Sequence, residues 1–180
     1  FYFEEDNNPL FLKESSEKNN FNNKFNLVNF IPSYTPFKKL EIDEKACIYR
    51  DPLDRFISCY KNRVLFHQDN AFKNHSIDKV IEKLENKIFE NKHFLPQTYW
   101  LGDDLNYFTI KADIKNLTPF INKLNIFFKK TIEFPRIQTG GREFILNLNF
   151  DQKNKIKKIY SSDYDLVQKF IRNNLINNEK

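Results

Sequence analysis

A chain of 180 residues is long enough to bury a sizeable core and is most simply one domain spanning 1–180. Its 29 Lys+Arg against 24 Asp+Glu leave a formal charge of +5, a mild basic bias that suits an anionic ligand but is not the footprint of a dedicated nucleic-acid binder. Two cysteines without metal-ligand spacing, and no apolar run of membrane-spanning length, argue against a disulfide scaffold, a zinc site and a transmembrane helix.

Residues 1–26 are the least regular part, and the Asn-rich run Asn19–Asn26 reads as a loop. Leu27–Ile31 reads as a short strand or a turn of helix closed by Pro32, and Ser33–Pro36 as a further turn. Tyr34, Glu41 and Asp43 lie on the approach to the next segment, where their spacing assigns them no role.

The segment Lys45–Val64 organises the rest. Ala46–Tyr49 is an apolar run too short for a helix and bounded by charge, which predicts a buried strand. Asp51 then stands where an N-cap belongs, Pro52 at the first helical position and Asp54 in the first turn. Leu53, Phe56, Ile57, Tyr60 and Val64 share one helical face, and Ser58 lies opposite with Asp54 and Lys61. Arg50 ends the strand, so its guanidinium can lie over the helix start, where unpaired N–H groups and the helix dipole favour an anion. Ser58 adds a hydroxyl two turns along, and an Arg fork with a hydroxyl suits a phosphate. By spacing alone the same residues also fit an ordinary capped strand–helix junction in which Arg50 pairs with a carboxylate.

Beyond the motif, Phe66–His75 reads as a loop. Ser76 is the expected N-cap of a helix that buries Ile77, Val80, Ile81, Leu84 and Ile88. Lys92–Gly102 is aromatic and loop-like. Tyr107–Ala112 has the composition of a strand, and a helix follows with Pro119 early and Leu117, Phe120, Ile121 and Leu124 inward. Strand–helix alternation twice over predicts an α/β domain with a mainly parallel sheet. Phe134–Arg142, which holds the sole Gly pair, reads as a loop. Two short helices close the chain, the second capped by Ser161 or Ser162 and burying Leu166, Val167, Phe170 and Ile171.

The run Arg50-Asp-Pro-Leu-Asp-Arg55-Phe-Ile-Ser58-Cys-Tyr60 resembles the 3′-phosphate-binding motif of sulfotransferases that use 3′-phosphoadenosine-5′-phosphosulfate (PAPS). The resemblance is to the carbohydrate branch, Golgi-type and bacterial, whose pattern is Arg-x-Pro-x-x-Arg-x-x-Ser-x-Tyr. Three later stretches look similar to the same family in the same order: His93–Gln97, Tyr107–Leu117 and Tyr160–Leu166. Together they cover roughly residues 45–170.

The resemblance implies a P-loop-kinase-like α/β fold in which Arg50 and Ser58 bind the 3′-phosphate. It implies PAPS as cosubstrate without a metal, and a glycan or glycolipid hydroxyl as acceptor. The family also uses a loop with Pro-Lys and a Ser/Thr for the 5′-phosphosulfate, and no such loop is found in this sequence. The expectation is that it precedes Phe1, since the chain contains no Met. His93 is the candidate general base, against the competing reading of a histidine without catalytic duty. Glu41 is a weaker candidate. Gly141 and Arg142 are candidate 3′-phosphate contacts in a late Gly/Arg loop, against the competing reading of a plain turn. A non-catalytic nucleotide- or glycan-binding module is the first alternative function, and a basic protein- or nucleic-acid-interaction domain the second. Bacterial relatives of this type imply a cytoplasmic setting and eukaryotic ones the Golgi lumen; the former is favoured.

Overall fold

The computed structural model describes residues 43–129 and 143–178 together with positions 37, 39, 131 and 141, with side chains as far as Arg172. The expectations for residues 1–36, for Glu41, for 132–140 and for Arg142 lie outside the described residues. In chain order the elements are β1 (Ala46–Tyr49), α1 (Pro52–Cys59) with a π-helical continuation (Tyr60–Phe66), α2 (Ile77–Glu85), the short α3 (Thr98–Leu101), β2 (Ile110–Asp113), α4 (Thr118–Phe128), α5 (Phe150–Ile159) and α6 (Ser161–Asn178). Single 3-10 turns at Lys92–Phe94 and Leu105–Tyr107 lie in the connections.

β1 and β2 pair in parallel, with Ala46 opposite Ile110 and Tyr49 opposite Asp113. The protein is therefore a mixed α/β structure, with a two-stranded parallel sheet among the described residues. Side chains alternate across a strand, so the pair has two faces to bury. Ile48, Ile110 and Ala112 pack with Leu117, Phe120 and Leu124 on the α4 side. Cys47 and Tyr49 pack with Leu105, Phe108 and the α6 residues Leu166, Val167 and Phe170 on the other. An isolated two-stranded ribbon is marginal in water, and helices on both faces supply the missing burial.

The larger core lies beside the sheet. Phe56, Tyr60 and Val64 from α1 and its continuation meet Phe72, the α2 residues Val80, Ile81 and Leu84, Phe94, Ile156 and Tyr160. The inward face expected of α1 is thus the observed one. The predicted α2 face holds up to Leu84. Ile88 instead is 42% exposed, because Lys87 takes a left-handed φ of 59° that ends the helix. Ile171 is likewise exposed, one step round the helix from the face that buries Leu166 and Phe170.

Local chemistry explains most boundaries. Ser76 accepts from the Lys79 N–H at 3.3 Å and starts α2. Asn149 and Gln152 form a reciprocal capping box at α5. The second strand begins three residues later than expected, because Asp104 accepts from the Asn106 N–H and draws Leu105–Tyr107 into a 3-10 turn. At α6 Ser162 faces the Thr98 hydroxyl at 3.1 Å, and the carboxylate of Asp163 is directed at α3.

Both cysteines are free thiols, Cys47 buried in the sheet face. Burial pushes the Cys47 thiol up from 9.0 to about 12, against a smaller opposing pull from Lys111. Burial, and then Asp51 and Asp54, push the Tyr164 phenol from 10.0 to about 12. Unfolded, these groups release protons near their ordinary values while the folded chain still holds them. The unfolded state then binds fewer protons, so stability falls as pH rises from about 9 to about 12. Urea unfolding near neutral pH and at about pH 10 is expected to show a lower midpoint at the higher value. An unchanged midpoint contradicts this assignment.

Candidate anion-binding site

The site is built where β1 passes into α1. The strand hydrogen bonding ends with the Ile114 N–H donating to the Tyr49 carbonyl at 3.0 Å. Arg50 follows as the link, and Asp51 caps the helix by accepting from the Asp54 N–H at 2.9 Å. The expected cap and the expected first-turn proline are both in place.

One expectation is overturned at this helix start. The N–H groups proposed to receive an anion are already used within the chain. Pro52 has none, and the Leu53 N–H is directed towards the Tyr164 hydroxyl. Asp54 donates to the Asp51 carboxylate, and Arg55 to the Asp51 carbonyl at 2.9 Å. Two carboxylates, Asp51 and Asp54, further oppose a second anion there. Attraction for an anion therefore falls to side chains beside the helix, not to its end.

Arg50 is such a side chain. It is half-buried, and its Nε is shut off from solvent without a hydrogen-bond partner among the described residues. Burial depresses its pKa, with Asp54 next in weight and acting in the opposite direction. The carboxylate that could have paired with it is engaged elsewhere, because Asp54 binds the Lys115 ammonium at 2.5 Å. So the capped junction exists, while among the described residues the ion pair that an ordinary junction was expected to give Arg50 does not. Ser58 is half-buried on the helix side shared with Asp54, and its hydroxyl has no partner among the described residues.

Two of the three later stretches named from the sequence, His93–Gln97 and Tyr160–Leu166, are drawn to the same junction. Gln97, only 1% exposed, accepts from the Arg50 N–H through Oε1 at 2.9 Å and donates through Nε2 to the Arg50 carbonyl at 2.8 Å. The fully buried Asp163 carboxylate accepts from the Gln97 N–H at 2.7 Å and the Thr98 N–H at 2.9 Å. Arg55 is the residue that sequence reasoning missed. Its buried guanidinium donates to the carbonyls of Leu95 at 2.7 Å and His93 at 2.9 Å, and it lies 5.4 Å from the Trp100 ring. A faint signal was present, since its helical neighbours at i−3 and i+4 are the non-polar Pro52 and Cys59.

His93 lies at the end of a polar chain. Arg63 grips Asp69 through two bonds of 2.7 and 3.0 Å, and Asn91 donates its amide to the same carboxylate. That bond fixes the Asn91 amide orientation, because an ionised carboxylate only accepts. The Asn91 Oδ1 lies 2.8 Å from His93 Nδ1, so Nδ1 carries the proton and the basic nitrogen is Nε2, which is buried.

Gly141 is buried with a φ of +83°, and a Cβ there would meet the Lys61 carbonyl at 2.7 Å. Only glycine permits this approach. It sets the loop backbone against the segment continuing α1, three residues past Ser58. Among the described residues no His/Cys/Asp/Glu group could hold a metal ion, and no helix is long and apolar enough to cross a membrane. Comparison with family models, with curated proteins and with solved structures finds no match for this chain.

Proposed function

We propose that the chain is a PAPS-dependent sulfotransferase domain of P-loop-kinase-like architecture that transfers a sulfuryl group to a hydroxyl of a glycan or glycolipid. The observation that carries this reading is the half-buried Arg50 cation, without a carboxylate partner among the described residues, on the strand–helix junction that also bears Ser58. A buried charge is stable when paired, and a phosphate supplies the missing acceptors. Arg50 and Ser58 would hold the 3′-phosphate, with Gly141 and Arg142 as further candidate contacts. Sulfuryl transfer, like phosphoryl transfer, asks the protein chiefly for positioning and charge stabilisation. His93 is the proposed base, acting through Nε2. The glycan class rests on the motif resemblance.

A second reading has one observation in its favour. The burial of His93 Nε2 hinders access by an acceptor hydroxyl, which suits a module that binds the nucleotide without transfer.

Titration calorimetry of 3′,5′-ADP against 5′-AMP tests the shared core of both readings. The 3′-phosphate is expected to tighten binding. Arg50→Ala should weaken 3′,5′-ADP roughly 10- to 100-fold, the loss of charge-assisted bonds of about 1.5–3 kcal/mol. Ser58→Ala should weaken it about fivefold, the loss of about 1 kcal/mol. Equal binding of the two nucleotides, or indifference to Arg50→Ala, overturns the proposal. Sulfate transfer from PAPS to a glycan acceptor then separates the enzyme from the binding module.

A further inference from the structure

We infer that Gln97 is a positioning residue for Arg50, holding the arginine's main chain so that its guanidinium meets a 3′-phosphate, and that Asp163 holds Gln97 in turn. The inference rests on the 3′-phosphate reading of Arg50 given above, and it adds residues with no place in the Arg-x-Pro-x-x-Arg-x-x-Ser motif.

Arg50 stands where neither neighbouring element can satisfy it. The parallel ladder stops at Tyr49, and the first helical hydrogen bond begins at the Asp51 carbonyl. Its N–H and carbonyl would both be left over, and unpaired main-chain groups shielded from water are costly. A primary amide is the side chain that can both accept from the N–H and donate to the carbonyl. Gln97 does so through bonds of 2.9 and 2.8 Å, and with 1% exposure it has no water to exchange with. The pair of bonds closes a ring on one residue, which resists rotation of the Arg50 peptide units more than either bond alone.

Gln97 is itself anchored. The Asp163 carboxylate takes the Gln97 and Thr98 N–H groups at 2.7 and 2.9 Å, at the start of α3 where the helix dipole favours negative charge. Asp163 is 0% exposed and sits in the first turn of α6, whose next residue Tyr164 faces the Leu53 N–H at the start of α1. The C-terminal helix therefore registers both sides of the Arg50 turn. A guanidinium at the end of a long side chain must arrive in one orientation to form a bidentate contact, so small main-chain rotations are felt in phosphate affinity.

The test is Gln97→Glu, which keeps the shape and one acceptor but turns a carboxylate oxygen towards the Arg50 carbonyl. Calorimetry with 3′,5′-ADP and 5′-AMP is expected to show about a tenfold loss for the first and less than about twofold for the second, consistent with one buried group left unsatisfied. In an Arg50→Ala background the same substitution should change 3′,5′-ADP binding by less than about twofold, since the group being positioned is gone. A merely structural role would lower both nucleotides equally and would persist in that background, and either result overturns the inference. If the variant does not fold, amide exchange of the parent protein decides. Exchange at the Arg50 N–H should slow on addition of 3′,5′-ADP and not of 5′-AMP, and equal protection by both refutes the coupling. A parent protein that prefers neither nucleotide sinks the 3′-phosphate reading and this inference together. Preference without any Gln97 effect removes only the inference.

Discussion

Arg55→Ala is expected to destabilise the fold by about 3–5 kcal/mol, a large part of the stability of a domain this size. Arg55 is 5% exposed, and its guanidinium spans two carbonyls, Leu95 at 2.7 Å and His93 at 2.9 Å, against the Trp100 ring. Truncation removes two charge-assisted hydrogen bonds, strands those acceptors and opens a cavity beside Trp100. Arg55→Lys keeps the charge, but a single ammonium lacks the planar fork that reaches both carbonyls. It should recover about half of the loss. Urea unfolding of the two variants checks this. A shift below about 1 kcal/mol for alanine would show that water or a neighbour replaces the guanidinium without strain.

Asp163→Ala is the second large effect, about 3–4 kcal/mol, from two charge-assisted hydrogen bonds lost and two N–H groups left shielded at the start of α3. Asp163→Asn should lose less, since one carbonyl oxygen survives and the new NH₂ opposes only one of the two donors. Thermal unfolding is expected to order the proteins as parent, Asn, Ala. The asparagine variant unfolding below the alanine variant would mean that the carboxylate faces a donor set other than the Gln97 and Thr98 amides. Loss of α3 should also release Gln97, so these variants lose 3′-phosphate preference before they lose the sheet.

Interactions within a few residues were legible without the fold. Asp51 as cap and Ser76 as the next cap depend on partners three positions away, Pro52 as first helical residue on its own ring, and Ala46–Tyr49 was readable as a strand from its short apolar run, although its partner Ile110–Asp113 lies far along the chain. Val80, Ile81 and Leu84 followed from helical period for the same reason. Boundaries failed where a local competitor intervened, as with the Asp104 turn ahead of β2 and the left-handed Lys87 before Ile88.

The candidate site divides along the same line. That Arg50 ends a strand ahead of a capped helix, with Ser58 two turns on, is a property of consecutive residues, and the sequence alone determined it. That Arg50 lacks a carboxylate partner among the described residues, that the helix N–H groups of Asp54 and Arg55 are used within the chain, and that Arg55 is buried were decided by the tertiary structure. Their partners lie far along the chain. Arg55 reaches 38 and 40 residues to His93 and Leu95, Gln97 reaches 47 back to Arg50, and Asp163 reaches 66 back to Gln97. The types of these residues were visible, but their meetings depend on the packing of α6 and α3 against the sheet, which no periodicity encodes. Whether an arginine is left open to a ligand depends on every nearby carboxylate being engaged elsewhere, and that is a property of the assembled fold.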